Sequence, residues 1–213
     1  MNSKKFLAFA MAAAMTLSMT ACGGSGSGAA SSGTDSAAGT AFKLGGTGPL
    51  TGGASIYGLA AQRGAQIAVD EINAQGGAIQ FDLKYEDDQH DPEKAVNAYN
   101  ALKEWGMQIS LGSVTSQPGI STSALSQEDG IFALTPSASS PDVIAGKDNV
   151  YQMCFSDPNQ GLASAQYIAE QQLGEKIFII WKSDDNYSTG IKDKFMAEAD
   201  KLGLNVVGNA TFT

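Results

Sequence analysis

The sequence predicts an α/β fold in which a parallel sheet is covered by helices on both faces. Short apolar runs alternate with segments of helical periodicity, and Gly, Pro and Asp punctuate the junctions. A repeated strand–helix–strand pattern produces parallel strands with right-handed connections. The predicted strands lie at 42–46, 79–85, 107–111, 131–134, 150–155, 177–181 and 204–207.

Residues 1–21 are predicted to be a signal peptide. Lys4 and Lys5 precede an uncharged run from Phe6 to Met19, which is shorter than the roughly 20 apolar residues of a membrane span. The run leads into "MTAC", which resembles the motif that precedes the acylated cysteine of bacterial lipoproteins. We therefore expect Cys22 to carry a lipid; ordinary signal cleavage that leaves Cys22 unmodified is the alternative.

Residues 22–41, after the cut, are rich in Gly, Ser and Ala and are predicted to form a flexible linker between the lipidated cysteine and the folded part. The formal net charge of the whole chain is −9, and loss of Lys4 and Lys5 makes it two units more negative. An acidic surface of this kind argues against nucleic-acid binding, which depends on cationic contacts to phosphate. Cys154 is left without a disulfide partner and is expected to be a small buried hydrophobe.

The segments with helical periodicity begin after typical start signals. The first, near 57–75, stops at Gly76-Gly77, and the second begins at Asp91-Pro92, an N-cap followed by proline. The others begin near Gln117-Pro118, Pro158 and Thr189. On the first helix one face carries Ala60, Gly64, Ile67, Ala68 and Ile72; the stripe on the second carries Val96, Tyr99 and Leu102.

The stretch "TPSASSPDVIAGKDN", residues 135–149, interrupts this rhythm and indicates a division into two lobes. We expect lobe 1 at 42–154 and the first part of lobe 2 at 155–213. A domain typically has about 100–150 residues, whereas only about 60 lie between 155 and 213. Lobe 2 is therefore expected to be incomplete in this chain.

The glycine-rich stretch "KLGGTGPLTGGASIYG" invites comparison with nucleotide-binding loops. Thr51 stands at the last glycine position of the dinucleotide motif, Pro49 stands inside the turn, and helical periodicity begins only near Tyr57. Ala54 occupies the position of the P-loop lysine. These departures argue against a nucleotide site.

Metal and catalytic motifs are also absent from the sequence. Asp87, Asp88, His90 and Asp91 follow a predicted strand, but one histidine among acids without metal-ligand spacing indicates a solvated turn. There is no G-x-S-x-G, no H-E-x-x-H and no Cys–His pairing. We expect a binding protein that is not an enzyme and needs no cofactor or metal.

Two donor-rich turns follow neighbouring predicted strands. "GSVTSQPG" comes after the strand at 107–111, and "TPSASSPD" comes after the strand at 131–134. Ligands of open parallel sheets bind beyond the carboxyl ends of the strands, and a helix N-terminus with nearby hydroxyls attracts an anion. Serines in such turns also often satisfy only local backbone groups. Together the two turns favour a site for a carboxylate held by neutral donors.

An ordered series of motifs resembles the branched-chain amino-acid binding proteins, which are extracytoplasmic receptors of ABC importers with the type I periplasmic binding fold. The series consists of "GGTGPLTGGASIYGLAAQRGAQIAVDEINAQGG", "YEDDQHDPEKAV", "GSVTSQPG", "GIFALTPSASSPDV", "DPNQG" and "DDNYSTG". It covers essentially all of 42–213. The resemblance implies two Rossmann-like lobes that close over a ligand.

The resemblance also implies roles for individual residues. Ser113, Ser137 and Ser139 fall on positions that bind the ligand carboxylate, the last of them in place of a family threonine. Tyr57 and Tyr187 fall on aromatic residues that line the side-chain pocket and close over the ligand. Asp157 falls on an acid near the α-ammonium. His90 and Gly112 stand where some relatives carry a disulfide.

The function implied is capture of a small amino acid, branched-chain or otherwise aliphatic, for delivery to the transmembrane subunits of an ABC permease. We expect a monomer that is anchored to a bacterial membrane, outside the cytoplasm, by its N-terminal lipid. Two alternatives stay open: a sensing module of the same fold, and a receptor for short amides, urea or aromatic acids.

Overall fold

The computed structural model describes residues 40–213. The predicted signal peptide, Cys22 and nearly all of the predicted linker lie outside these residues. The described part contains seven strands, five α-helices and a 3₁₀ turn at Pro141–Val143. The strands are β1 (Thr40–Gly48), β2 (Ile79–Asp87), β3 (Ile109–Ser113), β4 (Phe132–Thr135), β5 (Val150–Gln152), β6 (Ile177–Lys182) and β7 (Val206–Phe212). The helices are α1 (Ser55–Ala74), α2 (Pro92–Trp105), α3 (Ser116–Asp129), α4 (Asp157–Gln171) and α5 (Asn186–Leu202).

All strand pairs are parallel, which confirms the predicted α/β fold with a parallel sheet and flanking helices. One sheet has five strands in the order β2-β1-β3-β4-β5, and the second pairs β6 with β7. We call residues 40–152 the larger unit and residues 157–212 the smaller unit. The lobe boundary predicted at 154–155 falls between them, and the division into two lobes stays a prediction.

Helix α2 follows its sequence signals closely. The Asp91 side chain accepts a hydrogen bond from Lys94 N at 2.9 Å, and Gly106 ends the helix with a φ of 93°. Tyr99 and Leu102 are buried and pack with Met107, so the predicted apolar stripe does face the core. Capping and periodicity therefore agree for this element.

Helix α1 packs on the face opposite to the predicted one. Gly58 and Val69 are its buried residues, whereas Ile67 and Ile72 are exposed by 59% and 41%. Gly58 permits this contact, because a Cβ there would lie 2.1 Å from the carbonyl oxygen of Pro49. Close approach of backbones thus outweighs the apolar stripe in orienting the helix.

Two further helices show features that the sequence did not predict. Helix α3 buries the small polar residues Thr122, Ser123 and Ser126, while its apolar residues Ile120 and Leu125 pack against the core. Helix α5 begins at Asn186, earlier than the predicted Thr189, because the Asp185 side chain accepts from Ser188 N at 3.0 Å and caps it. The earlier start puts Tyr187 in the first turn of the helix.

The glycine-rich stretch serves packing within the larger unit. The Tyr85 ring lies against Gly46, where a Cβ would come within 2.4 Å of Cζ. Burial raises the pKa of Tyr85 to about 12. Among the described residues, no helix combines the length and the hydrophobicity needed to cross a bilayer.

Candidate functional site

A cavity of about 520 Å³ lies at the carboxyl-terminal edge of the sheets, between the larger and the smaller unit. Residues that directly follow β2, β3, β4, β5 and β6 all contribute to its wall. This is the position at which open parallel sheets bind ligands. The sequence predicted a ligand site at this edge, and that a ligand binds there stays a prediction.

Four of the residues singled out from the sequence line this cavity: Tyr57, Ser137, Ser139 and Tyr187. Tyr57 lies in the first turn of α1 and is 65% exposed, and Tyr187 lies in the first turn of α5 and is 40% exposed. The Tyr187 hydroxyl donates to Gln160 Oε1 at 3.3 Å. Two aromatic side chains from different units thus stand at the same cavity.

Ser113 does not line the cavity; it is completely buried beneath it. Its hydroxyl donates to Asp88 Oδ2 at 2.8 Å and lies 2.7 Å from Thr47 Oγ1. Its carbonyl oxygen accepts from the Thr135 hydroxyl at 2.7 Å. In this conformation the Ser113 hydroxyl joins β1, β3 and the loop after β2, and its proton is used by Asp88.

The turn after β4 is built around the Thr135 hydroxyl. Its oxygen accepts from Ala138 N at 3.0 Å and from Ser137 N at 3.4 Å. Ser137 Oγ in turn donates to Val114 O at 2.5 Å, which ties this turn to the segment that follows β3. The two donor-rich turns predicted to cooperate are therefore hydrogen-bonded to each other.

The N-terminus of α3 also opens on the cavity. Thr115 is its N-cap residue, with extended backbone angles, but its side chain makes no capping bond. Thr115 Oγ1 is buried and has no partner within residues 40–213. The first N–H groups of a helix lack intrahelical acceptors. This helix end therefore offers donors and the positive end of the helix dipole to an anion.

The smaller unit contributes acids instead of donors. Asp185 lines the cavity and is only 7% exposed; its Oδ2 caps α5, while its Oδ1 lacks a partner in the described part of the chain. Asp157 is fully buried; neither of its carboxylate oxygens accepts a well-formed hydrogen bond within residues 40–213, although the Ser139 hydroxyl lies close to it. Burial raises the pKa of Asp157, and the charge of Asp185 raises it further, against an opposing effect of the Ser139 hydroxyl.

Asp157 belongs to a second cavity of about 740 Å³, which adjoins the first through their shared residue Asp185. Helix α5 covers Asp157 so closely that a Cβ at Gly190 would lie 3.0 Å from the Asp157 Cβ. The second cavity is acidic, with one basic residue, Lys194, on its wall. A cation is thus favoured on this side.

The acidic turn after β2 was predicted to be solvated, but its Asp88 is buried. Asp88 is fully buried, accepts from His90 N at 2.9 Å as well as from Ser113, and has a pKa raised by burial. Asp87 binds the amide of Leu50 and the hydroxyl of Thr51. These acids fold the loop because they accept its N–H groups, which a pattern of charges alone does not reveal.

The two units also contact each other directly beside the cavity. Gln117 Nε2, on α3, donates to Asp184 O at 2.6 Å and to Asn186 Oδ1 at 3.4 Å. Asp157 N donates to Ser139 O at 3.1 Å. The walls of the cavity are therefore held together by backbone and side-chain bonds.

Thr115 and Asp185 are cavity residues with a polar atom lacking a partner in residues 40–213, and the sequence analysis did not identify either of them. Both stand immediately before a helix, Thr115 before α3 and Asp185 before α5. Thr and Asp before a helical segment are ordinary N-caps. A cap residue that is also available to a ligand is recognised only in the folded structure, by a buried side-chain oxygen without a hydrogen-bond partner.

Comparison with known proteins shows the family of the chain. The model of the family described as periplasmic binding protein matches residues 41–213. The Leu/Ile/Val-binding protein BraC3 of Rhizobium johnstonii is 33% identical over 168 residues, which are 78% of this chain and 46% of that protein. The Leu/Ile/Val-binding protein homolog 3 of Brucella melitensis is 32% identical over 182 residues, 84% of this chain and 49% of that protein.

Solved structures give the same result. The leucine-binding protein LivK of Thermotoga maritima matches with a TM-score of 0.74 and 25% identity, over 80% of this chain and 49% of its own. LivJ of Streptococcus pneumoniae, solved with isoleucine, matches with a TM-score of 0.76 and 26% identity, over 82% and 50%. The chain spans about half the length of these relatives. It belongs to the periplasmic binding protein family, a family of extracytoplasmic solute-binding proteins, and its relatives there are the branched-chain amino-acid binding proteins.

Proposed function

We propose that this chain is part of a receptor for an ABC importer, which captures a small α-amino acid between its two units and delivers it to the permease. The observation that carries the proposal is the opposite character of the two cavity walls. Neutral donors and a helix N-terminus stand on one side, and buried acids with carboxylate oxygens that lack a hydrogen-bond partner within residues 40–213 stand on the other. Those are the complements of a carboxylate and an ammonium group.

In this proposal the ligand carboxylate binds at the N-terminus of α3 and the turn after β4. The donors are the Thr115 hydroxyl, the first N–H groups of α3 and Ser139. Ser137 lines the cavity and holds the turn in place, since its own hydroxyl donates to Val114 O. Ser113 acts from beneath, since its bonds to Asp88 and Thr47 hold the segment that carries Thr115. The ammonium lies toward Asp185, with Asp157 behind it.

Tyr57 and Tyr187 enclose the side chain of the ligand. Because they come from different units, a ligand between them favours the closed arrangement by its greater affinity for it. Closure of two units around a ligand is a common switching motion. The closed form would be the one that docks on the permease.

The relatives named for Leu, Ile and Val support an aliphatic amino acid as the first ligand to test. The lipid on Cys22 would keep the receptor at the membrane. Metabolic labelling with a fatty acid, compared between the natural protein and Cys22→Ala, tests the anchor. Label in the natural protein alone is expected, and equal label in both would refute it.

A thermal-shift panel on the full-length protein tests the ligand class. L-amino acids, short amides and aromatic acids are each titrated, because a ligand that binds only the folded state raises the melting temperature by mass action. A saturating shift with one or more L-amino acids is expected. A shift with amides or aromatic acids alone would replace the proposed ligand, and permease genes beside this one would favour transport over sensing.

A further inference from the structure

The His90 side chain lies on the cavity wall, and the proposed function gives it no part in binding the carboxylate or the ammonium group of the ligand. His90 is the only histidine of the sequence, and it lines the 520 Å³ cavity together with Tyr57, Thr115 and Tyr187. Its Nδ1 is buried and has no hydrogen-bond partner within residues 40–213. Buried polar side chains in proteins nearly always have a partner. His90 therefore needs a hydrogen-bond partner from outside residues 40–213, and a bound ligand can supply it.

The backbone around His90 adopts an uncommon conformation. Gln89 and His90 have φ angles of 50° and 61°, a left-handed region that side chains other than glycine rarely adopt. Asp88 maintains this geometry, because its Oδ1 accepts from His90 N at 2.9 Å and its backbone oxygen accepts from Asp91 N at 2.9 Å. Strained positions of this kind concentrate at ligand-binding sites.

The other charged groups at the cavity limit what His90 can bind. Among residues 40–213, Asp185 is the only acidic residue on the cavity wall, and neither lysine nor arginine contributes to it. A ligand side chain with its own carboxylate would therefore enter without a cation to pair with. An imidazole can both donate and accept hydrogen bonds, so an amide or a hydroxyl suits it.

We propose that His90 determines specificity by hydrogen-bonding an uncharged polar group on the side chain of the bound amino acid. The proposal rests on the proposed function and refines it: asparagine, glutamine, threonine or serine is preferred over an aliphatic residue of the same shape. An aliphatic side chain displaces water from the imidazole and leaves its nitrogens unpaired. That loss is what lets a polar site reject an apolar isostere.

Two pairs of near-isosteric ligands test this in the full-length protein. Calorimetric titration compares asparagine with leucine, and threonine with valine. The polar member of at least one pair is expected to bind ten-fold or more tightly than its aliphatic partner. Equal or tighter binding of both aliphatic members would overturn the proposal while leaving amino-acid capture intact. If no amino acid binds, the proposed function fails and this refinement fails with it.

Two variants then assign the preference to the imidazole. His90→Leu is expected to remove the polar preference without weakening the aliphatic ligands, and His90→Gln, which keeps a donor and an acceptor, is expected to retain most of it. The thermal midpoint of each unliganded variant reports folding separately. A polar preference that survives in a folded His90→Leu would overturn the assignment, as would an equal loss for every ligand. The natural protein's comparison of isosteres stands even if one variant does not fold.

Discussion

The two walls of the cavity reach complementary charge by different means. The larger unit presents neutral groups: the N-terminus of α3, the Thr115 hydroxyl and the serines after β4. The smaller unit presents formal charge at Asp185, backed by Asp157. A carboxylate can be held by hydrogen bonds and a helix dipole alone, whereas an ammonium is best matched by a carboxylate. The difference gives a zwitterion one preferred orientation.

The walls also differ in what supports them. Beneath the donor wall, Thr47, Asp88 and Ser113 form a continuous hydrogen-bonded cluster of fully or nearly fully buried groups. Beneath the acidic wall, both oxygens of Asp157 lack partners in the described residues. The donor wall is therefore organised in advance, while the acidic wall stores an unfavourable charge that a cation would relieve.

Removal of the charge at Asp185 should have the largest effect on binding. Asparagine also caps helices well, so Asp185→Asn keeps the start of α5 and removes the partner of the ammonium. Hydrogen bonds to charged groups contribute about 1.5–3 kcal/mol, so the affinity for an amino acid should fall roughly ten- to hundred-fold by calorimetry. Asp200→Asn, an exposed charge on the same helix, is the control and should leave the affinity unchanged. Equal effects of the two variants would contradict the role of Asp185.

Ser113→Ala should lower the free energy of unfolding. It leaves the buried Asp88 carboxylate without one of its donors, a loss of about 1–3 kcal/mol in the free energy of unfolding. Denaturant unfolding of the unliganded protein measures it. A variant of unchanged stability that no longer binds ligand would instead make Ser113 a direct ligand contact.

Asp157→Asn should stabilise the unliganded protein at neutral pH by about 1 kcal/mol, because it removes a buried charge without a partner. Since the pKa of Asp157 is raised in the folded state, its protonation favours folding. Its contribution is present at low pH and is lost as the pH rises through that pKa. The stability difference between variant and natural protein should therefore shrink as the pH falls through the raised pKa. A variant that is less stable at neutral pH would show that the charge is compensated.

Thr115→Val should have the smallest effect and separates binding from stability most cleanly. Valine has the same shape, and the lost hydroxyl has no partner among the described residues, so the unliganded stability should be unchanged or slightly higher. The free energy of binding an amino acid should become less favourable by roughly 1 kcal/mol, the contribution of one hydrogen bond. Thr122→Val on the same helix is the matched control: its hydroxyl bonds Pro118 O inside α3 and lies outside the cavity. It should alter stability and leave affinity intact; the reverse pattern would remove Thr115 from the site.

The sequence predicts the fold and the edge of the sheet that carries the cavity, because both follow from periodicity and from the parallel arrangement of strands. It also identifies Tyr57, Ser137, Ser139 and Tyr187 as residues near a ligand, and all four line the cavity. Their roles in binding stay predictions.

The hydrogen-bond partners of individual hydroxyl groups could not be predicted from the sequence. Ser113 and Thr115 are two residues apart in one donor-rich turn, and nothing in the letters tells which hydroxyl is used by Asp88 and which is free. The orientation of α1 depends on a close backbone contact at Gly58 rather than on its apolar stripe. Such choices are made by three-dimensional packing, not by local pattern.

The central claim is that the two walls bind the two charged ends of one molecule. The direct measurement is calorimetric titration of the full-length protein with its tightest-binding amino acid, with the deaminated acid of the same side chain, and with the decarboxylated amine. The account predicts that only the zwitterion binds tightly and that each analogue loses roughly one hundred-fold in affinity, about 2.7 kcal/mol. An acid that binds as tightly as the amino acid would contradict it.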